Sequence, residues 1–486
     1  MGNLIKNIRQ NQGLLCALLS AILFVCACQP AAKSSNLNTS PNARDSESTS
    51  APIHIHAQLA QEVYIWQRQW RAANQTALVQ SQGAFQGLRI LALQAHPKPN
   101  GADIWFEVAV NHAWLQADPR PKVAVIRLDG QLSHLNDEEV INKISQLLNS
   151  WQTKGTHIAG VEIDHDSASS KLPAYRDFLK KLKAQLPAEL KLSITALPAW
   201  LSSADFPPLL GTIDELVLQI HSVSDPRLGL FDANLGWQWV QQLSNISTVP
   251  YLIALPTYGS AVISTASGYQ VESETPLRDK TRSPETVQEL QANPAILHAF
   301  VQRLETAADD RLRGIIWFRL PLEGDKRVWP LNTLIAVAKG EKLSASIELA
   351  ILDDNKIAAQ GGTATANPPQ LSINTQLGLN TQLSLNTQPR LFRLALVNKG
   401  NIAGDLPSIV SLAAKACSGY DAQNSYRVTP KPGLLEWQLR AETPEPFAPS
   451  AANPVLKTTT KLNPGGQRVI GWARCESLSL QGIYAQ

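Results

Sequence analysis

The stretch Ile158-Ala159-Gly160-Val161-Glu162-Ile163-Asp164-His165-Asp166 combines a buried-strand pattern with three carboxylates at alternating positions. Because successive side chains of a β-strand point to opposite faces, Glu162, Asp164 and Asp166 share one face and His165 lies on the other. Carboxylates that converge repel one another and are costly to bury without partners. The stretch therefore favours a strand that leads into a site, while a turn in which Asp164 and Asp166 cap the next helix is the structural alternative.

Similar apolar runs occur on both sides of this stretch and alternate with helical segments. Eight runs are predicted strands: Val63–Arg68, Leu88–Gln94, Val123–Leu128, Ile158–Asp164, Leu192–Leu197, Leu216–His221, Tyr251–Pro256 and Gly314–Leu320. Helical spacing separates several of them, at Glu138–Trp151, Pro173–Leu186, Gly236–Leu243 and Pro294–Ala307. Apolar strands alternating with amphipathic helices predict a parallel sheet buried on both faces, and eight units fit an α/β fold of the (β/α)8 TIM-like barrel type. An open doubly wound sheet is the alternative, although the chain has no G-x-G-x-x-G or P-loop motif.

One further run, Ile104–Val110, does not fit a count of eight and is predicted to be an added strand between the second and third barrel strands.

In a barrel, the carboxyl end of the fourth strand opens into the active site. Like-charged neighbours raise the pKa of at least one carboxyl group, which gives a neutral acid beside an ionised carboxylate. That pair suits glycosidic bond cleavage. A metal site is not favoured, because strand alternation turns His165 away from the acids.

The motif Gly-apolar-Glu-apolar-Asp-His-Asp resembles the D-G-x-D-x-D-x-E signature of family 18 glycoside hydrolases, the chitinase-like barrels. Ala254-Leu255-Pro256-Thr257-Tyr258-Gly259 is similar to that family's seventh-strand segment, and Trp317 stands where a tryptophan often lies under the sugar. The resemblance implies that Asp166 is the general acid, Asp164 its charged partner and Glu162 a support deeper in the barrel.

Two departures from that family are visible. Asp166 replaces a glutamate and is one methylene shorter, and Gln219 and His221 stand where the family has a tyrosine and an aspartate. Chitin or peptidoglycan specificity is therefore not implied. A resemblance that covers nearly the whole mature chain is to a bacterial lipoprotein family classed as domain of unknown function 3142; it implies the barrel but supplies no activity. It is carried by Val63–Arg68, the strand-four acids, Thr195–Trp200, Ala254–Gly259 and Ile316–Pro321.

Several aromatic and polar residues at or near strand ends are candidate ligand contacts. Indole faces stack on sugar rings, and arginines pair with the acids or bind an anionic substituent. Tyr258 is either a ligand contact or a packed loop residue, and His221 either a proton donor or a core histidine. The candidate substrate-binding residues are Trp66, Arg68, Trp200, Gln219, His221, Tyr258, Trp317 and Arg319, with Arg127 as a further possible partner of the acids.

The N-terminus has the order of an export signal. Lys6 and Arg9 precede an apolar run over 14–27, which is too short to span about 30 Å of hydrocarbon. Val25-Cys26-Ala27-Cys28 resembles the bacterial lipobox, which implies a signal peptide over residues 1–27 and a lipidated Cys28 that anchors the protein to the membrane. An ordinary signal peptide is the alternative. In lipoproteins, an Asp after the lipidated Cys usually retains the protein at the inner membrane; because Gln29 stands there instead, the resemblance implies the outer membrane of the cell envelope. Residues 28–57 are expected to form a flexible tether.

The sequence pattern changes again after the barrel region, which we place at 58–340: short apolar runs continue, but helical periodicity is scarce. Ser346–Leu352, Leu391–Asn398 and Gln467–Ala473 are predicted strands of a small all-β domain over 341–486, with sandwich architecture. Residues 371–388 are three near-copies of a six-residue unit, LSINTQ, LGLNTQ and LSLNTQ. Apart from the lipidated Cys28, the predicted mature chain contains two cysteines, Cys417 and Cys475, and the sequence leaves open whether they pair.

Composition narrows the possible functions. A net charge of +3 does not indicate a nucleic-acid partner. No cofactor and no metal are expected, and the sequence does not name a protein partner. We predict an envelope-anchored carbohydrate-active protein with a glycan or polysaccharide ligand and a glycoside hydrolase-like barrel that uses paired carboxylates on strand four. The alternative is a non-catalytic glycan-binding or envelope-scaffold lipoprotein.

Overall fold

The computed structural model describes residues 59–97, 103–130, 136–220, 230–265, 268–272, 287–307, 309–325, 327–353, 389–440 and 460–484. The predicted signal peptide, the tether with Cys28, His221 and the repeat at 371–388 lie outside these residues. Among the helices of the described ranges, none combines the length and the apolar character needed to cross a bilayer.

The first part of the described chain alternates strands and helices. Its elements are β1 (Ala60–Ile65), α1 (Ala72–Gln80), β2 (Gly87–His96), β3 (Ile104–Glu107), α2 (His112–Ala117), β4 (Lys122–Leu128), α3 (Asp137–Thr153), β5 (Gly160–His165), α4 (Leu172–Gln185), β6 (Lys191–Ala196), α5 (Phe206–Leu210), β7 (Glu215–Gln219), α6 (Ala233–Ile246), β8 (Tyr251–Pro256), β9 (Gly259–Thr265), β10 (Gly268–Glu272), β11 (Val287–Gln291), α7 (Pro294–Glu305), β12 (Leu312–Phe318) and α8 (Leu331–Ala338).

Eight parallel strands close into a barrel. They follow the order β1-β12-β8-β7-β6-β5-β4-β2, and β1 also pairs with β2, so the ring has no open edge. This confirms the predicted barrel and excludes the open doubly wound sheet. The short strands β9, β10 and β11 form a separate antiparallel sheet that is inserted between β8 and α7.

The barrel wall follows the two-residue period of its strands. Val161 and Ile163 of β5 face outward and join the core between the strands and the helices. Tyr64, Leu91, Val125 and other inward residues form a second apolar cluster inside the barrel. Apolar burial on both faces explains why these strands are near-continuous hydrophobic runs in the sequence.

Strand β2 breaks this period once. Its pairing with β4 skips Ala92, so that Leu91 is opposite Val125 and Leu93 is opposite Ile126. A bulge of one residue exchanges the two faces of the strand beyond it. Gln94 and His96 consequently point into the barrel mouth. The end of β2 also pairs antiparallel with β3, which confirms the predicted added strand in this region.

The C-terminal part is all-β, as predicted. Its strands are β13 (Ile347–Asp353), β14 (Arg390–Asn398), β15 (Gly404–Asp405), β16 (Ile409–Lys415), β17 (Gly419–Ala422), β18 (Tyr426–Lys431), β19 (Leu434–Leu439), β20 (Lys461–Leu462), β21 (Gln467–Cys475) and β22 (Ser477–Tyr484). Two four-stranded antiparallel sheets, β13-β14-β21-β17 and β18-β19-β16-β22, contribute to one core. Cys417 and Cys475 form a disulfide bond next to this core. Thr333 of α8 donates a hydrogen bond of 2.7 Å to the carbonyl of Asn401, which connects the two parts.

A pocket at the carboxyl ends of the barrel strands

A cavity of about 730 Å³ lies at the carboxyl ends of the barrel strands. Its wall combines aromatic, acidic, basic and amide side chains. The lining residues are Tyr64, Trp66, Arg68, Gln94, His96, Arg127, Asp129, Asp164, Asp166, Thr195, Leu197, Gln219, Ala254, Tyr258, Phe318 and Arg319. Seven of the sequence-predicted site residues are among them: Trp66, Arg68, Asp164, Asp166, Gln219, Tyr258 and Arg319.

Glu162 lies below the cavity and is fully buried. Tyr64 donates a 2.6 Å hydrogen bond to one oxygen, and Arg89 forms an ion pair with the other. Burial raises the pKa of Glu162 above its ordinary value of 4.5, and the positive charge of Arg89 opposes that shift. Arg89 also pairs with Glu62 and Glu215, so one guanidinium holds three carboxylates near the lower end of the barrel. The assignment of Glu162 as a deep supporting residue agrees with this position.

Asp164 is held one layer higher and is almost completely buried. Thr195 and Gln219 donate hydrogen bonds of 2.7 and 3.2 Å to Oδ1, and Arg127 donates one of 2.8 Å to Oδ2. Three donors from three other strands, β4, β6 and β7, thus fix the orientation of this carboxylate.

Asp166 is the outermost acid of the strand, with a side chain that is 37% exposed. The second terminal nitrogen of Arg127 donates to its Oδ2. The three acids of the motif therefore do share one face, as predicted, but arginines lie between them. The expected repulsion is offset by Arg89 and Arg127, and the raised pKa of Glu162 arises first from burial.

The helix-capping alternative for these acids does not hold. Within residues 136–220, no side chain caps the short turn Ser169–Lys171 or helix α4. His165 lies on the opposite face, as expected, where its ring packs edge-on against Tyr175 and Nδ1 lies 3.1 Å from the carbonyl oxygen of Leu128. Burial lowers the pKa of His165. Among the described residues there is no group of three or more potential ligands that could hold a metal ion.

Aromatic rings form one wall of the cavity. Phe318 is at its centre, with ring centroids 4.9 Å from Trp66, 5.6 Å from Tyr64 and 5.6 Å from Tyr258. Thr257 fixes the neighbouring backbone, because its hydroxyl accepts from the amide of Arg319 and donates to the carbonyl of the same residue. The peptide bond between Phe318 and Arg319 is cis. Edge-on contacts of this kind hold the four rings in defined orientations along the wall of the cavity.

Two of the three predicted stacking tryptophans are elsewhere. Trp317 is fully buried on the outer face of β12, where its indole nitrogen donates to Gln61 and its ring packs on Trp329. Trp200 is fully buried behind the barrel wall and donates to the carbonyl of Ser167. The structure therefore corrects the assignment of Trp200 and Trp317 to a sugar-binding wall. Alternation along β12 explains the error for Trp317, since its neighbour Phe318 is the residue that faces inward.

The remaining predicted residues have defined partners. Nε of Arg68 donates to Gln94 at 2.8 Å, and Arg319 forms a 3.1 Å ion pair with Asp325. Arg127, considered a possible partner of the acids, is the arginine that pairs with two of them. His221 and Cys28 lie outside the described residues.

Sequence reasoning missed several residues of the cavity. Gln94 and His96 were missed because the bulge in β2 reverses the expected face. Thr195 and Phe318 carry an available signal, because each lies on the inward face of its strand by simple alternation. Asp129 lies in the turn after β4, and its carboxylate is 3.4 Å from Nδ1 of His96.

Fold and pocket together define a (β/α)8-barrel protein whose polar and aromatic cavity occupies the position typical of barrel active sites. Residues 118–323, which carry β4 to β8, β12 and the strand-four acids, match the model of a family described as Domain of unknown function (DUF3142). Residues 381–476 match a second model, Domain of unknown function (DUF8456). No curated protein matches the chain in sequence.

The chain is similar to solved barrel structures at low sequence identity. The spore cortex-lytic enzyme SleL of Bacillus cereus is 14% identical, with a TM-score of 0.41, over 59% of this chain and 75% of that one. A chitinase from Bacteroides thetaiotaomicron is 10% identical, with a TM-score of 0.40, over 59% and 98%. The xylanase and α-amylase inhibitor protein XAIP-II of Scadoxus multiflorus is 10% identical, with a TM-score of 0.38, over 59% and 100%.

Proposed function

We propose that the barrel pocket binds a carbohydrate. The observation that carries this proposal is the division of the cavity into two unlike walls. Trp66, Tyr258 and Phe318 offer aromatic surface, while carboxylate, guanidinium and amide groups stand in the same cavity. A sugar ring has an apolar C–H face and a rim of hydroxyl groups, and those two features match the two walls.

Arg127 favours binding over cleavage as the primary activity. The general acid of a glycosidase must carry a proton when it meets the glycosidic oxygen. Asp166 instead shares the guanidinium of Arg127 with Asp164, so its Oδ2 would first have to leave this contact before it could donate a proton to a ligand. Fixed carboxylates and a fixed guanidinium are effective partners for sugar hydroxyl groups, whether or not a bond is broken.

Hydrolysis is the second candidate, and one observation supports it. Asp166 is the outermost of the three acids and lines the cavity with an exposed side chain. In this alternative, the side chain of Arg127 turns away and Asp166 donates its proton to the glycosidic oxygen as the bond to the anomeric carbon breaks. Asp164 stabilises the positive charge that develops at that carbon, water attacks it and returns a proton to Asp166, and Glu162 remains in its buried network.

Binding and release measured on the same glycans distinguish these functions. The purified protein is titrated with soluble oligosaccharides and assayed for new reducing ends, beside Asp166→Asn and the control Asp177→Asn, an exposed carboxylate of α4. Binding without release supports the binding protein. Release that Asp166→Asn lowers by at least about 100-fold, and the control does not, establishes the hydrolase. If no glycan of a broad panel binds, the proposal is wrong.

We also propose that the protein is anchored to the bacterial envelope, at the outer membrane, through lipid on Cys28. The lipobox-like segment before Cys28 supports this proposal. Metabolic labelling with a radioactive fatty acid tests it: the unmodified chain should carry label and sediment with membranes, while Cys28→Ala should do neither. Label that persists in Cys28→Ala excludes this residue as the lipid attachment site.

A further inference from the structure

The hairpin formed by β2 and β3 rises beside the pocket and has two unlike faces. Directly opposed residues of an antiparallel pair point to the same side of the sheet. Gln94 is opposite Phe106 and His96 is opposite Ile104. Because Gln94 and His96 line the cavity, Phe106 and Ile104 belong to the cavity side of the hairpin as well.

The opposite face of the hairpin is fixed to the barrel. Ala95 is fully buried in the main core, and Trp105 packs against that core. The indole nitrogen of Trp105 donates a 2.8 Å hydrogen bond to Glu139 of α3. The hairpin is therefore anchored from behind, which gives its front face a defined position at the pocket mouth.

The front face presents apolar surface to solvent. Phe106 is 53% exposed and Ile104 is 39% exposed, although both lie on a strand with an anchored back face. The ring of Phe106 lies edge-on against the imidazole of His96, with centroids 5.9 Å apart. His96 in turn borders the cavity, so apolar and polar contact surface continues from the pocket onto the hairpin.

We propose that this face of the hairpin is a second carbohydrate subsite, centred on Phe106, and that the ligand is an oligosaccharide chain rather than a single sugar. The inference rests on the proposed function of the pocket and extends it to the size of the ligand. The half-exposed phenyl ring provides the stacking surface for a sugar that leaves the pocket past His96. His96 and Asp129, whose side chains lie 3.4 Å apart at this edge, provide polar contacts between the two subsites.

The physical reason for this assignment is that the exposed face of the hairpin is continuous with the wall of the cavity. An isolated exposed phenylalanine is an ordinary surface feature. Phe106 differs because it shares a face and a ring contact with residues that line a cavity, on a strand whose other face is immobilised. An aromatic surface held at the edge of a binding cavity adds contact area to a ligand long enough to reach it, at little cost in ordering the protein.

The test compares ligand lengths. The full chain, Phe106→Ala, Phe106→Tyr and the control Tyr420→Ala, an exposed aromatic of the β domain, are titrated calorimetrically. The probes are β-1,4-linked ladders of N-acetylglucosamine, glucose and xylose from one to six units. For a ladder that binds, Phe106→Ala should bind the longest oligomer about tenfold more weakly and the monosaccharide unchanged. Phe106→Tyr should restore the affinity, and Tyr420→Ala should have no effect.

Two results would overturn the subsite. One is equal affinity of Phe106→Ala and the unmodified chain at every length; the other is an equal loss at every length, which would assign Phe106 to the pocket or to its stability. If the unmodified chain binds no glycan of the broad panel, these ladders included, the proposed function fails and the subsite with it. That failure is distinguishable because it is seen before any substitution is made.

Discussion

Replacement of Arg89 by leucine tests the buried network under the pocket. Arg89 is 1% exposed and forms ion pairs with Glu62, Glu162 and Glu215. Burial alone would lower the pKa of Arg89, but the negative charges of the three carboxylates outweigh burial and raise this pKa above its ordinary value. Arg89 is therefore charged in the folded protein. Arg89→Leu leaves Glu162 buried without a counter-charge. Removing one partner of a buried pair costs about 3–5 kcal/mol, which is a large part of the roughly 5–15 kcal/mol that stabilises a domain.

The loss of unfolding free energy caused by Arg89→Leu should depend on pH, and the pKa of Glu162 determines the direction of that dependence. That pKa is raised above 4.5 by burial, so the folded state binds the proton more tightly than the unfolded chain. A raised carboxyl pKa removes stability as the pH rises from the unfolded value to the folded value. Loss of Arg89 raises the folded pKa of Glu162 further. The destabilisation by Arg89→Leu should therefore be largest at pH 7 and should shrink as the pH falls toward 4.5.

Urea unfolding followed by tryptophan fluorescence measures this effect, because Trp317 and Trp329 report on the barrel. The matched control is Arg303→Leu, which removes a guanidinium stacked 4.0 Å from the ring of Trp237 and should cost at most about 1 kcal/mol. The double variant Arg89→Leu, Glu162→Leu should recover part of the loss, since no buried charge remains. The reasoning is refuted if Arg89→Leu costs no more than Arg303→Leu, or if its cost does not change with pH.

Two further predictions use other parts of the molecule. Trp66→Ala should weaken glycan binding about tenfold and also lower stability, since its ring packs in the inner apolar cluster. Trp317→Ala should cost about 3–5 kcal/mol of stability, because it opens a cavity in the core, and should leave the affinity of the folded protein unchanged. Calorimetry and urea unfolding of both variants check this pair, and a binding defect confined to Trp317→Ala would contradict the assignment of the two faces. Replacing both Cys417 and Cys475 by alanine opens a loop with a sequence separation of 58 and should cost the β domain about 4 kcal/mol. Thermal unfolding with and without reductant measures it, and a reductant-insensitive unmodified protein would argue against the bond.

The fold was predictable because it depends on local periodicity. All eight barrel strands were located by their apolar runs, and the structure differs from those predictions mainly in the residues at which strands begin and end. In the β domain, three strands were predicted near their observed positions. Seven other strands among the described residues of this region were not predicted: Gly404–Asp405, Ile409–Lys415, Gly419–Ala422, Tyr426–Lys431, Leu434–Leu439, Lys461–Leu462 and Ser477–Tyr484. Three of them have only two to four residues, which are too few to show a period.

The site was predictable only in part. Alternation placed Glu162, Asp164 and Asp166 on one face, but no local rule identifies Arg89 and Arg127 as their partners. Arg127 lies on β4, next to the strand of the acids, and Arg89 lies on β2, one strand further along the barrel. The register between these strands sets the distance from each arginine to the acids. The bulge at Ala92 is a second example, since a one-residue insertion moves Gln94 and His96 into the cavity without a clear mark in the sequence.

The sequence by itself determined the barrel, the all-β C-terminal region and the shared face of the three strand-four acids. Those features follow from the repeat of apolar residues along the chain, which is a local property. Only the tertiary structure decided that Glu162 is sealed under the pocket by Arg89, that Asp164 and Asp166 share Arg127, and that Gln94 and His96 line the cavity. The physical reason is that charge compensation and burial depend on residues that are distant in the chain and meet only when the barrel closes.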